Sequence, residues 1–211
     1  MENISYRKIC KKDYYYIKRM INNQFCLYEY IDDKRILKTF LNVYLYDCLV
    51  EKTFSMVAEK DGNVVGVILG NAKTEYRVIK TIINKIKSIY YTIIMIIKII
   101  KYKYDIKQYK GITKIYKELI EKSNRNFDGI LTLFVVDKDY QGYGIGKTLL
   151  SYLLNYGREK NIKKMYLYTD SKCNYKFYDK SGFKNIGKSM FEVKNKNNEF
   201  ELEIFLYEYN F

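Results

Sequence analysis

The sequence predicts an α/β fold, with helices and strands arranged in an α+β manner around one sheet of mixed strand direction. Three observations carry that prediction. Two β-rich runs, Phe54–Glu59 and Val64–Leu69, flank the turn signal Asp61-Gly62-Asn63 and read as a hairpin. From Ile130 onward, strand and helix patterns alternate. Between these parts, at about residues 71–127, lies a segment of helical pattern and different composition, an insertion between the third and fourth strands. At 211 residues the length fits one core with an insertion better than two cores, so residues 1–211 are expected to form a single domain.

In chain order, Asn3–Ile9 alternates weakly and reads as the first strand. Helical stretches follow at about Lys12–Phe25 and Asp33–Val50. The second is the clearer, because Ile36, Leu37, Phe40, Leu41, Tyr44, Leu45, Cys48 and Leu49 recur at three- and four-residue spacing behind Asp32-Asp33. After the hairpin, Ile79, Ile82, Ile83, Ile86, Ile89, Tyr90, Ile93, Ile97, Ile100 and Tyr104 mark one long amphipathic helix, and Ile112–Lys122 a second. The longest uncharged run, Ser88–Ile97, is too short to span a bilayer, so no membrane span is expected. The remainder reads as strand Ile130–Val136, glycine loop Gln141–Gly146, helix Lys147–Lys160, strand Lys164–Thr169, helix Asn174–Lys180, strand Phe183–Val193 and strand Phe200–Tyr209.

Composition excludes several chemistries. With 48% hydrophobic and 29% charged residues the chain is of soluble globular type. Met1–Asp13 is polar and shows no secretory pattern, which points to the cytoplasm. Four scattered cysteines without a CxxC, and no histidine, argue against a metal site and exclude a histidine-based triad. The net charge is +14, and an excess of Lys, Ile, Asn and Tyr without Pro or Trp is what an AT-rich coding sequence produces. Location says more than the total: residues 71–127 hold 14 basic and 4 acidic residues, ten of the fourteen excess charges.

Leu131–Leu150 (LTLFVVDKDYQGYGIGKTLL) combines a buried-looking strand, a charged bend, three alternate glycines and an apolar helix. Unpaired N–H groups at a helix start, approached without Cβ atoms in the way, form a cradle for phosphate. The loop has neither the Walker A ending nor the dinucleotide GxGxxG. Gln141-Gly142-Tyr143-Gly144-Ile145-Gly146 resembles the (Q/R)xxGx(G/A) acetyl-CoA motif of the GNAT superfamily of N-acetyltransferases. Asn174–Phe183 (NYKFYDKSGF) is similar to that family's FYxxxGF segment, in which the tyrosine faces the coenzyme A sulfur. The resemblance is tight over Asp128–Gly187, looser over residues 1–70, and does not extend to 71–127.

The resemblance implies a GNAT-like acyltransferase fold, acetyl-CoA as co-substrate, no metal, and direct acetyl transfer to an amine-bearing acceptor. An amine of pKa about 10 must lose a proton to attack a thioester, and the departing thiolate is helped by a proton donor. Tyr178 is the expected donor. Backbone groups of Phe134, Val135 and Val136 would pair with the pantetheine arm and steady the oxyanion. Gln141 to Gly146 and Lys147 would hold the pyrophosphate. Where the family has an asparagine this chain has Ser171, with Asn174 three residues later. Where relatives carry a glutamate base stand Ile130, Thr132 and Tyr166, which leaves Asp128, Asp137, Asp170, Glu59 or a water chain. Cys173 lacks an evident activator.

For the insertion, the reading is a cover over the acceptor pocket or a homodimer contact, buried on more than one side, in preference to membrane attachment or nucleic-acid binding. The alternative function is an adaptor that keeps the acyl-CoA fold and docks on anionic membrane or nucleic acid through this insertion.

Overall fold

The protein is described here as a computed structural model covering residues 4–75, 78–105, 107–194 and 199–211; the side chains of 78–81, 107–110 and 194 lie outside the description. Asn3 and the Ile79 side chain, both named above, therefore fall outside it. In chain order the elements are β1 (Ser5–Arg7), α1 (Tyr14–Gln24), α2 (Leu27–Tyr30), α3 (Lys34–Glu51), β2 (Phe54–Lys60), β3 (Asn63–Ala72), α4 (Val78–Tyr102), α5 (Lys107–Ser123), β4 (Gly129–Val136), α6 (Ile145–Glu159), β5 (Lys164–Asp170), α7 (Lys176–Lys180), β6 (Lys184–Lys194) and β7 (Glu199–Asn210). Among the described residues seven strands form one sheet, in the order β1-β2-β3-β4-β5-β7-β6. All neighbours are antiparallel except β4 and β5. This is the expected mixed sheet flanked by helices, with a helical pair between the third and fourth strands.

Local chemistry accounts for the elements. The β2–β3 hairpin pairs Lys60 with Asn63 and turns through Asp61 (φ 50°) and Gly62 (φ 77°), the left-handed pair a two-residue hairpin needs. Asp33 starts α3 by accepting from the N–H groups of Arg35 (2.8 Å) and Ile36 (3.3 Å). Arg7 ties the N-terminus down: its guanidinium grips both oxygens of buried Asp13 at 2.8 Å and reaches Glu59 on β2.

The two faces of the sheet are packed differently. On one, α6 lies across the middle, and a single core joins Ala58, Val65 and Ile68 to Leu149 and Leu153 and on to Leu167, Phe183 and Tyr207. On the other, the apolar residues form two separate clusters. Ile17, Met20, Leu45 and Leu49 of α1 and α3 cover β2 to β4, whereas Leu119 of α5 covers Val193, Leu202, Ile204 and Leu206 of β6 and β7. A cleft lies between them.

The helical pair corrects one expectation. α4 packs on α3 through one side: Tyr91 stacks on Tyr46 (centroids 5.4 Å apart), Arg35 lies 3.6 Å over the Tyr102 ring, and Lys98 donates to Thr39 Oγ1 at 2.7 Å. The isoleucine stripe, expected to be buried on more than one side, instead points outward, with Ile83 66% and Ile100 72% exposed. The packed side is made by Asn84, Ser88, Tyr91, Lys98 and Tyr102, whose polar atoms and rings suit the top of α3, and the stripe lies opposite. No helix among the described residues is long and apolar enough to cross a membrane.

Candidate active site

The site begins with a gap in the sheet. β4 and β5 pair at only two positions, Gly129 with Met165 and Ile130 with Tyr166. Beyond Ile130 no strand among the described residues pairs with β4 on that side. The parting coincides with a bulge: the β3–β4 register slips so that Leu69 faces Leu133 and Gly70 faces Leu131, leaving Thr132 unmatched, its hydroxyl donating to the Leu69 carbonyl at 3.2 Å. The extra residue reverses the alternation. Leu131 faces the α6 side, Leu133 and Val135 face α1 and α3, and Phe134 and Val136 return to the α6 side. Phe134, Val135 and Val136 thus border the gap with one free backbone edge, and all three line a cavity of about 2070 Å³.

The glycine loop closes one end. Asp137 caps a short 3-10 turn over Lys138–Tyr140 by accepting from Asp139 N–H, and Gln141 donates to Gln24 (3.3 Å) and to the Val136 carbonyl (3.4 Å). Gly142 (φ +85°) and Gly144 (φ +79°) adopt the left-handed conformation, and a Cβ at either would meet nothing within 4 Å. The first helical bond runs from Thr148 N–H to the Gly144 carbonyl, so the N–H groups of Ile145, Gly146 and Lys147 open α6 without helical partners. Gln141, Gly142, Gly144, Gly146 and Lys147 line the cavity. Tyr143 points to solvent, and the Ile145 side chain is buried in the core, so Ile145 can contribute backbone only.

Tyr178 projects from α7 into the same cavity. Its ring is wedged among Phe134 (centroids 6.4 Å apart), Phe183 (5.6 Å) and Tyr207 (5.8 Å), and its hydroxyl has no hydrogen-bond partner among the described residues. Burial, helped by Cys173 and Asp170 nearby, pushes the phenol well above its ordinary value, so it is protonated at any physiological pH. Of the two asparagine substitutes, Asn174 lines the cavity, whereas Ser171 is held against β7 through Glu203 N–H and carbonyl (3.1 and 2.9 Å).

The four candidate carboxylates separate cleanly. Glu59 is bound by Arg7, Asp128 accepts from Lys163 and Lys164 N–H at the far end of the sheet, and Asp137 caps its turn with Arg19 4.0 Å away. Asp170, at the end of β5, lines the cavity, and burial raises its carboxyl even though it accepts from the N–H groups of Lys172 (2.9 Å) and Cys173 (3.1 Å). Cys173 donates to Asp170 at 3.5 Å, and burial beside that carboxylate pushes the thiol up to about 12. It is therefore a thiol and no nucleophile at neutral pH.

Other residues at the cleft were not singled out from sequence. Asp47 and Glu51 of α3 line it too; although both side chains are exposed, partial desolvation by their surroundings raises both carboxyls, with a hydrogen bond from Ser88 partly offsetting this at Asp47 and Asp47 itself adding to it at Glu51. Tyr168 of β5 stacks on Tyr116 of α5 (4.3 Å) and donates to its carbonyl at 2.7 Å, fixing α5 as one wall. Thr92, Met95 and Ile99 of α4 complete the other wall. The insertion was expected to cover this pocket, but the helical period of each segment does not say which individual residues meet there.

A parted mixed sheet, a glycine-started helix and a tyrosine thus share one cavity. A profile of the acetyltransferase (GNAT) family matches residues 17–183, and the chain belongs to that family and is an acyltransferase. Its fold is shared by a Pyrococcus horikoshii OT3 protein (20% identity, TM-score 0.59) and by an N-acetyltransferase of Staphylococcus aureus Mu50 (17%, 0.55). It is shared also by the PaiA N-acetyltransferase of Thermoplasma acidophilum, solved in complex with coenzyme A (14%, 0.53). Each alignment covers 99% of both chains. At such identities the likeness is one of fold.

Proposed function

We propose that the protein, acting as one domain over residues 1–211, transfers the acetyl group of acetyl-CoA to a primary amine. The observation that carries this reading is the convergence on one cavity of the unpaired β4 edge, the two left-handed glycines at the start of α6, and the Tyr178 hydroxyl. The open space over Gly142 and Gly144 suits a pyrophosphate, held by N–H groups of Ile145, Gly146 and Lys147 at the positive end of the α6 dipole. The Phe134–Val136 edge offers strand-like hydrogen bonds to the pantetheine arm where β5 has turned away. Asn174 borders the same space.

In the reaction the amine nitrogen attacks the thioester carbonyl carbon, an N–C bond forms and the C–S bond breaks. The carbonyl oxygen gains negative charge beside the β4 N–H groups. The sulfur leaves towards Tyr178, whose protonated phenol donates to it. Asp170 is the carboxylate placed to receive the amine proton, directly or through water, because among the four sequence candidates it alone faces the cavity and its raised carboxyl is closer to a useful base. The test is thiol release from acetyl-CoA across a panel of primary amines, with acetylated product identified by mass. Release dependent on one amine class supports the reading, and no release with any amine by protein that binds coenzyme A refutes it.

A further inference from the structure

α4 presents a face that nothing among the described residues covers. Ile83, Ile86, Tyr90, Ile93, Ile97 and Ile100 are each between 52% and 72% exposed. At 3.6 residues per turn they fall within a stripe about 100° wide, on a helix whose 25 residues make it about 37 Å long. A soluble surface rarely leaves so long an aliphatic strip to water. The same geometry sets exposed Lys85 along one margin and exposed Lys101, 5.7 Å over the Tyr102 ring, along the other, while half-buried Lys87 leans back over the Tyr46 ring of α3 at 5.4 Å. Lys98 is turned inward to Arg35 and Thr39 and does not belong to the strip.

We propose that this face docks the enzyme on an anionic lipid surface. The isoleucines enter the boundary between headgroups and acyl chains, while the marginal lysines extend to lipid phosphates. Charge selects this occupant. From Val78 to Tyr104 the sequence contains no Asp or Glu, and residues 71–127 carry ten of the chain's fourteen excess positive charges. A second copy laid strip to strip would bring the marginal lysines together, and α4 carries no carboxylate to pair with them. A nucleic acid would meet aliphatic side chains where it needs stacking rings and cations. A negatively charged membrane satisfies both the apolar strip and its basic margins. The opposite side of α4 supplies Thr92, Met95 and Ile99 to the cavity, so docking holds the acceptor cleft beside the lipid.

The test is pelleting of the full chain with vesicles of phosphatidylcholine and phosphatidylglycerol at about 0.15 M salt. The protein is expected to pellet with these, and about tenfold less with phosphatidylcholine alone. Ile86→Asp/Ile93→Asp/Ile97→Asp, and separately Lys85→Glu/Lys101→Glu, should each weaken pelleting about tenfold while circular dichroism and coenzyme A binding stay unchanged. Three results overturn the proposal: no pelleting with the anionic vesicles; a dimer in light scattering that the isoleucine variant turns into a monomer; or pelleting lost in the lysine variant yet retained in the isoleucine variant. The last is simple charge attraction that nucleic acid would share. None of these outcomes touches acetyl transfer, which thiol release measures separately.

Discussion

Residues 128–183 and residues 78–123 line the same cavity by opposite means. The first segment shapes its glycine-loop end with backbone: a bulged strand edge, glycines at φ +85° and +79°, and a helix start. The second shapes it with side chains, Met95 and Ile99 of α4 and Ile112 and Tyr116 of α5. A backbone site needs particular residues at particular spacings, whereas a side-chain wall needs only bulk and apolarity. The first should therefore be brittle to single substitutions and the second graded.

The largest effect should come from the brittle half. Gly144→Glu forces a Cβ residue into a left-handed conformation, at a cost on the order of 1–2 kcal/mol, and projects negative charge into the cradle. Because a Cβ there meets nothing within 4 Å, the fold should survive while coenzyme A binding disappears in calorimetry. Unchanged affinity in a folded variant would erase the distinction between the two halves. Next, Tyr178→Phe keeps the ring wedged among Phe134, Phe183 and Tyr207, so coenzyme A affinity should hold while turnover falls roughly ten- to a thousandfold. Equal turnover would make Tyr178 a packing residue.

In the graded half, Ile99→Ala should raise the acceptor KM about tenfold, the scale of losing apolar contact in a pocket, with coenzyme A affinity unmoved. A change in coenzyme A affinity instead would show that the wall reaches the cofactor side. Smallest of all, Cys173→Ser should change turnover by less than about twofold, because a buried thiol raised to about 12 supplies almost no thiolate at neutral pH. Its alkylation rate should accordingly climb only as pH rises far above neutrality, which a pH series with iodoacetamide would show.

The same contrast explains what could be read from the sequence. The hairpin and the glycine loop were legible because each rests on a local demand, Asp61-Gly62 for a tight turn and Gly142 and Gly144 for positive φ, whereas Tyr178 was legible only through its resemblance to a family segment. The bulge at Thr132 left no mark, since Leu131–Val136 reads as an unbroken strand and the slip arises from pairing with Leu69 and Gly70, sixty residues away. Asp47 and Glu51 were equally silent, being ordinary polar positions of α3 until the cleft forms beside them. The stripe on α4 was legible as a helix, but its facing was not. Periodicity locates an apolar side and is blind to whether protein lies against it; here Tyr91, Lys98 and Tyr102 hold the other side.

Among the described residues, two ladder pairs, with Asp128 bonding to Lys163 and Lys164 just beside them, join the four strands β1 to β4 to the three strands β5 to β7 along the sheet itself. Thermally, that seam is a weak weld, bridged otherwise by α6 and the core beneath it. A coenzyme bound in the gap, as proposed, would brace the weld, and mass action would make the brace concentration-dependent: at a hundredfold excess over Kd, binding would add about 2.7 kcal/mol to stability. The melting temperature of this protein should thus serve as a gauge of how much coenzyme is free, readable before any acceptor is known.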